Sequence, residues 1–212
     1  MKKKLFSVVM AVVMTVVCLA GCSGDFSKDS FINAAKKNGL KELEDTQELT
    51  RIKAEPGETK AFYYDVENLQ IVQYLKSSFD ENLSVEDVKG CVIVNESIGE
   101  NADHGTSLTR IYYLTLKDNK TAENLYKEEI KSFKLMKPEE GKKNGVTYTI
   151  GYLGPDDSRH DNSTVELACG VYLKDNQLVW IRSDYYSTMK NDCVEGICKS
   201  LGLVSPYKLK KS

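Results

Sequence analysis

The sequence predicts an α+β fold in which antiparallel sheet, built from hairpins, is packed by about three helices. Short runs of β-branched and aromatic residues with period-two alternation are separated by turn residues, which indicates strands joined as hairpins. Three longer segments carry apolar residues at helical spacing. Successive strands occur without helices between them, which favours this class over a doubly wound parallel sheet.

The first helix is predicted over residues 27–39. Ser27 or Ser30 can cap its start, and Gly39 is a typical C-terminal stop. Residues 43–52 fit either a short strand or an irregular piece, and Pro56-Gly57 predicts a turn.

Two strands, 60–66 and 69–75, are predicted to form a hairpin around Glu67-Asn68. Residues 84–87 resemble a capping box and predict one helical turn. A short strand at 91–95 and a longer one at 110–117 flank a polar stretch, 96–108, that predicts a loop.

The second half begins with a predicted helix over 121–135, ended by Pro138 and Gly141. A closing helix follows at 188–201, stopped by Gly202. Between the helices, strands are predicted at 146–153, 164–173 and 178–186, the last two joined at Asp175-Asn176. The order of elements also allows a degenerate helix-plus-three-strand repeat, comprising residues 27–76 and 121–186.

The N-terminal residues have the layout of an export signal. Lys2, Lys3 and Lys4 precede an uncharged run from Leu5 to Leu19, which is shorter than the roughly 20 residues of a membrane-spanning helix. Leu19-Ala20-Gly21-Cys22 follows as a lipobox. The segment resembles bacterial lipoprotein signal peptides, which implies cleavage before Cys22 and acylation (palmitate among the acyl groups) of that cysteine.

The expected organisation has four parts. These are a cleaved signal peptide (1–21), a lipidated tether (22–26), one extracytoplasmic α+β domain (27–205) and a basic C-terminal tail (206–212). The expected location is the cell membrane, with the domain lipid-anchored on its extracytoplasmic face. Without the signal peptide the chain has 26 basic and 31 acidic residues, which argues against nucleic acid as a partner. The expected partners are the membrane, through the anchor, and another envelope protein or an extracellular ligand.

Two further segments resemble small uncharacterised lipoproteins of Gram-positive bacteria. They are Phe31-x-x-Ala34-Ala35-Lys36-Lys37-x-Gly39-Leu40 and Ser200-Leu201-Gly202-Leu203. Relative to that pattern, residues 80–108 look like an insertion. The resemblance implies a location and a fold but no reaction.

Four cysteines lie in the expected domain: Cys91, Cys169, Cys193 and Cys198. An extracytoplasmic location permits disulfides. Cys193 and Cys198 share a helix at a spacing that places them about 140° apart around its axis, which disfavours their pairing with each other. A disulfide from each helix cysteine to a strand cysteine is therefore favoured, with four free buried thiols as the alternative. Cys91 and Cys169 lie in apolar strands, which disfavours a nucleophilic role.

Residues 156–161 offer a weak metal site, with Asp156, Asp157, His160 and Asp161 as possible ligands, but Asp and Asn are also ordinary turn residues. Asp103-His104 is a weaker case of the same kind. No zinc, phosphate-loop or hydrolase motif occurs, so the sequence predicts no cofactor and argues against an enzyme without excluding one.

Tyrosine is abundant, with twelve residues and three Tyr-Tyr pairs. Neighbouring residues of a strand face opposite sides of a sheet, so one ring of each pair could be exposed and contribute to a binding patch. The pairs are Tyr63 with Tyr64, Tyr112 with Tyr113, and Tyr185 with Tyr186. The alternative is the ordinary preference of tyrosine for strands.

These observations favour a non-enzymatic surface lipoprotein that binds an unknown ligand. The alternatives are an extracytoplasmic enzyme with a site near 156–161, and an accessory subunit of an envelope complex.

Overall fold

The structure, a computed structural model, describes residues 26–43, 54–66, 83–99, 106–155, 165–186 and 192–210. Three helices lie in these ranges: α1 (Lys28–Lys37), α2 (Asn119–Glu129) and α3 (Asp192–Leu201). The first four strands are β1 (Lys41–Glu42), β2 (Thr59–Val66), β3 (Val88–Gly99) and β4 (Thr106–Leu116). The other four are β5 (Glu139–Lys143), β6 (Val146–Leu153), β7 (Val165–Lys174) and β8 (Gln177–Tyr186).

All eight strands belong to one sheet, in the order β1-β2-β3-β4-β8-β7-β6-β5. Every pairing is antiparallel except that of β1 with β2, which is parallel, so the sheet is mixed. The α+β class is confirmed, while the purely antiparallel sheet is true only in part. The centre of the sheet is the pairing of β4 with β8, two strands far apart in sequence.

The sheet separates two layers of helix. The α1–α3 face is covered by α1 and α3, and the α2 face is covered by α2 and by the 3-10 segment Ile130–Met136. Period-two alternation divides each strand between them. On β4, for example, Tyr112 and Leu114 point to the α2 face, whereas Ile111 and Tyr113 point to the α1–α3 face.

Local sequence signals account for the ends of several elements. The Ser27 side chain accepts a hydrogen bond from the Ser30 backbone N–H and caps α1, which ends before Gly39 in a left-handed conformation (φ 78°). The predicted turns at Pro56-Gly57 and Asp175-Asn176 are present, the second closing the β7–β8 hairpin. Residues 85–87 form the predicted helical turn.

The β5–β6 hairpin was not predicted. Asn144 and Gly145 both have positive φ (53° and 80°), the arrangement that suits a two-residue hairpin turn. β5 consists of Glu-Glu-Gly-Lys-Lys, a run without strand-forming residues. It is a strand because it pairs along β6, so tertiary context decides its conformation.

One prediction in the first half of the chain is wrong, and another lies partly outside the described residues. β2 pairs with β3 along its whole length and with β1 at Phe62 and Tyr63, while its predicted hairpin partner 69–75 lies outside the described residues. The polar stretch 96–108 is strand at 96–99 and at 106–108. Residues 88–99, which lie within the segment 80–108 that the resemblance suggests as an insertion, form strand β3 in the interior of the sheet.

The predicted repeat is also not reproduced. Within the described ranges, four strands, not three, follow each of α1 and α2. A twofold rotation that exchanges the antiparallel strands β4 and β8 has its axis perpendicular to the sheet, so it does not interchange the two faces. Because α1 and α2 lie on opposite faces, no such rotation superimposes the two halves.

Residues 203–210, here called the C-terminal strap, are folded onto the sheet rather than free as a tail. The hydroxyl of Tyr172 donates to the Val204 carbonyl oxygen at 2.6 Å. Lys208 and Lys210 make ion pairs with Glu139 at 2.8 Å and with Glu166 at 2.6 Å. The folded body therefore extends to Lys210. In the ranges that the structure describes, no helix is long and apolar enough to span a membrane.

Candidate functional site

The structure does not support a tyrosine patch. Tyr63, Tyr112, Tyr113 and Tyr185 are at most 2% exposed, and Tyr64 is partly buried. The side chain of Tyr186 is outside the described part of the structure. Both faces of the sheet are covered, so in the pairs Tyr63–Tyr64 and Tyr112–Tyr113 the two rings enter two different cores.

The four cysteines of the domain are free and buried, and the predicted helix-to-strand disulfides are not formed. Cys91 and Cys169 lie on the α2 face, whereas Cys193 and Cys198 lie on the α1–α3 face. The sheet itself therefore separates the predicted partners. Burial raises the pKa of Cys169 and of Cys198 to about 12, so neither is a nucleophile at neutral pH.

The remaining candidates lie outside the described residues. They are the lipidation site Cys22, the acidic loop with Asp156, Asp157, His160 and Asp161, and Asp103-His104. In the ranges that are described, no group of three or more His, Cys, Asp or Glu side chains could hold a metal ion.

A polar row crosses the centre of the sheet on the α2 face. Asn95 on β3 lies opposite Arg110 on β4, and Arg110 lies opposite Arg182 on β8. All three point to the α2 face because they alternate with residues that point to the other face. We call these three residues the arginine row. Directly opposed residues have Cβ atoms about 5 Å apart, so the three side chains are immediate neighbours.

The two arginines have different surroundings. The Arg182 guanidinium donates to Asp184, with Nε at 2.9 Å from Oδ2, and this hydrogen bond raises the pKa of Arg182. Arg110 is half-buried and makes no ion pair with any carboxylate of the described ranges. Its Nε is buried without a hydrogen-bond acceptor there. In the described part of the structure, the positive charge of Arg182 is therefore paired with a carboxylate, whereas that of Arg110 is not.

Asn95 is fully buried, and neither its amide oxygen nor its amide nitrogen has a hydrogen-bond partner among the residues described. An unpaired buried polar group costs about 1–3 kcal/mol, so such groups are rare in folded proteins. Ser97, the next residue of β3 on the same face, is also fully buried, but its hydroxyl accepts from the Ala54 backbone N–H at 3.0 Å. Asn95 therefore lies at one end of the row with an amide that can still donate and accept hydrogen bonds.

A second polar cluster, on the α1–α3 face, is internally satisfied. The Ser183 hydroxyl lies 2.9 Å from that of Thr109 and 3.1 Å from that of Tyr207. The Tyr185 hydroxyl donates to Glu96 at 3.4 Å, and burial raises the pKa of Tyr185. This cluster holds the strap and the sheet together and leaves no group directed at a ligand.

A cleft of about 670 Å³ lies at the edge of the sheet beside β1 and β2. Lys41 and Glu42, two of its lining residues, are exposed, and Lys60 pairs with Glu58 at 3.3 Å. Because these charged groups are exposed to solvent or form an ion pair, the cleft is a weaker candidate for a specific ligand site than the arginine row.

The residues of the arginine row are suited to binding an anion. Guanidinium groups stay protonated in proteins and bind carboxylate or phosphate through two parallel hydrogen bonds. A neutral amide is neither an acid nor a base. Cys169, which continues the row on β7 opposite Arg182, is a buried thiol with a raised pKa. The geometry suits an oxyanion.

Sequence reasoning missed all three residues of the row. Arg110 and Arg182 are remote in sequence, and nothing local links them. The available signal was a single arginine within, or at the start of, an otherwise apolar predicted strand. Asn95 is the last residue of the predicted strand 91–95, next to the predicted loop 96–108, and nothing local marks it as buried.

No protein-family model matches the chain, and no curated protein matches it. Among solved structures, the chain is similar to the extracellular domain of PknH from Mycobacterium tuberculosis, with 13% sequence identity and a TM-score of 0.37. That match covers 76% of this chain and 91% of the other chain. A likeness at this level does not indicate what this chain binds.

Proposed function

We propose that the chain is a lipid-anchored, extracytoplasmic binding module without catalytic activity, and that its ligand binds at the arginine row. The observation that carries the binding site is the pairing of Arg110 with Arg182 beside Asn95, whose amide is buried and unpartnered. Buried polar groups of folded proteins nearly always have hydrogen-bond partners, and an amide beside two arginines can find them in a polar ligand.

The sequence supports the location. Lys2, Lys3 and Lys4, the uncharged run and the lipobox together have the form of a lipoprotein signal, and two or more acyl chains give stable anchoring without a spanning helix. The acidic charge balance of the expected mature chain means that lipid, rather than a basic patch, would hold it at the membrane.

The location is tested by expressing the full chain in a bacterial host fed with an alkyne analogue of palmitate. We expect the chain to incorporate the label and to be digested when protease is added to intact protoplasts or spheroplasts. Cys22→Ala should lose the label, while Cys18→Ala, the matched control inside the signal, should keep it. Label retained in Cys22→Ala, or a chain protected from external protease, would refute the anchored extracytoplasmic location.

The binding activity is tested by thermal unfolding of the full chain in detergent, with metals, peptides, cell-wall fragments and sugars as separate ligand panels. A ligand at 100 times its dissociation constant stabilises the folded state by about 2.7 kcal/mol, which is easily measured. A stabilising ligand of any class should lose its effect in Arg110→Gln and keep it in Lys89→Gln. Lys89 is an exposed residue of the same sheet whose replacement also removes one positive charge. Stabilisation by none of the panels would contradict a binding function.

A further inference from the structure

We infer that the ligand of the arginine row carries an oxyanion, a carboxylate or a phosphate, beside a hydroxyl group, as an acidic sugar or a hydroxy acid does. The inference rests on the proposed function, because it names the chemistry of the ligand for the same site.

The charge of the row favours an anion. Arg110 and Arg182 are directly opposed, and like charges in that position destabilise a sheet unless a counter-charge is present. Asp184 supplies one negative charge and is bound to Arg182 through two hydrogen bonds, at 2.9 Å and 3.4 Å. The Arg110 guanidinium makes no ion pair in the described part of the structure, and its Nε is unpartnered there. A single oxyanion would neutralise it.

Asn95 requires more than an anion. Its amide nitrogen can donate to an oxyanion, but its amide oxygen accepts only from a donor. A carboxylate has no donor at neutral pH, so a simple carboxylate leaves that oxygen unsatisfied. A hydroxyl group on the same ligand provides the donor and satisfies both atoms of the amide.

The spacing of the two residues limits the distance between the two groups of the ligand. Asn95 and Arg110 face each other across one strand pair, with Cβ atoms about 5 Å apart. An oxyanion on Arg110 and a hydroxyl on Asn95 therefore belong to one small ligand, a few bonds apart. An oxyanion and a hydroxyl at such a separation are typical of uronic acids, sugar phosphates and α-hydroxy acids.

The test is isothermal titration of the detergent-solubilised full chain with five probes. D-galacturonate and glucose 6-phosphate carry an oxyanion and hydroxyls, galactose and glucose are their neutral counterparts, and propionate carries a carboxylate without a hydroxyl. We expect one of the two acidic sugars to bind below ~10 mM and at least about tenfold more tightly than its neutral counterpart and than propionate. Galacturonate binding would indicate a carboxylate ligand, and glucose 6-phosphate binding a phosphate ligand.

Variants separate the roles of the two residues. Arg110→Gln and Asn95→Leu should each weaken the binding at least about tenfold, and Lys89→Gln should leave it unchanged. Asn95→Leu should also raise the unfolding temperature of the unliganded protein, because an apolar side chain of similar size replaces an unpaired amide. Arg110→Lys keeps the charge but not the paired hydrogen bonds, and it should bind more weakly than the native chain while folding normally.

The outcomes distinguish this inference from the proposed function. Equal binding of propionate and galacturonate, or binding unaffected by Asn95→Leu, would overturn the requirement for a hydroxyl. If none of the five probes binds but another ligand class binds through Arg110, the inference is wrong and the binding function stands. If no class of ligand binds, both are wrong.

Discussion

The phenol of Tyr172 is completely buried on β7, and its hydroxyl holds the carbonyl oxygen of Val204 at 2.6 Å. This hydrogen bond joins the middle of the sheet to the start of the C-terminal strap. Tyr148 lies opposite Tyr172 on β6, and its hydroxyl donates to Glu139 at 3.1 Å from a less buried position.

Tyr172→Phe should lower the free energy of unfolding by about 1–1.5 kcal/mol, because it removes the hydrogen bond that a completely buried phenol makes to Val204. Tyr148→Phe should change it by less than about 1 kcal/mol, since its hydrogen bond is nearer to solvent. Urea denaturation of the two variants measures the difference. Equal losses would show that the strap is not held through Val204.

Gly196 on α3 should be sensitive to substitution because of its contact with α1. A Cβ atom at Gly196 would overlap the side-chain oxygen of Asn38, whose amide nitrogen donates to the Ala34 carbonyl oxygen at 2.8 Å and closes the end of α1. Gly196→Ala should therefore destabilise the chain by about 1–3 kcal/mol, although alanine is the better helix former.

The control for this prediction is the same substitution in Asn38→Ala. With the Asn38 side chain removed, Gly196→Ala should become neutral or stabilise by up to about 1 kcal/mol, the difference in helix propensity. Thermal unfolding of the four chains of this double-mutant cycle gives the coupling energy directly. Additive effects would mean that the two helices do not meet at this point.

Alkaline solutions should destabilise the protein through its buried thiols. Burial raises the pKa of Cys169 and Cys198 to about 12, while an unfolded thiol titrates near 8.5. Between these values the unfolded chain has released protons that the folded chain retains, so the free energy of unfolding falls as the pH rises.

The slope should be on the order of 1 kcal/mol per pH unit for each of these thiols. Denaturation midpoints measured from pH 8 to 11 give the slope, and replacement of both cysteines by alanine should make it shallower. A slope that does not change in the double variant would contradict the retention of protons by these two thiols.

The redox state of the cysteines can be measured independently. Cys91, Cys169, Cys193 and Cys198 should all react with a maleimide after unfolding without reductant, and none should react in the native state within minutes. Peptide mapping by mass spectrometry identifies the labelled sites. Labels that appear only after reduction would show that disulfides form despite the sheet between the two cysteine pairs.

The elements that depend on local signals could be predicted from the sequence. The β7–β8 hairpin has alternating apolar residues on both sides of Asp175-Asn176, and α1 has a serine cap and a glycine stop. In each case the residues that determine the element are close together in the chain.

The central strands could not be predicted at their full length because their buried positions are partly polar. Asn95, Ser97, Ser107 and Thr109 are fully buried on β3 and β4, and a run of such residues has the composition of a loop. For Ser97 and Thr109 the compensating hydrogen bonds come from Ala54 and Ser183, which are far away in sequence. A single sequence does not show those partners.

The arginine row was out of reach for a related reason. It depends on the pairing of β4 with β8, which places Arg110 opposite Arg182 although the two residues are far apart in sequence. The cysteines were misjudged because helix geometry was considered and the position of the sheet between them was not. Both errors concern which strands are neighbours, which local periodicity does not encode.

Phe26, at the beginning of the described chain, is only 2% exposed and packs against Tyr113 with ring centroids 6.1 Å apart. With an acyl group on Cys22, as proposed, only four peptide units would connect the lipid to this fixed point. This connection would be at most about 14 Å long, whereas the 12-residue strand β3 is about 40 Å long. The domain could not tumble freely above the bilayer. The α1–α3 face would stay close to the lipid head groups, and the α2 face would point away from them.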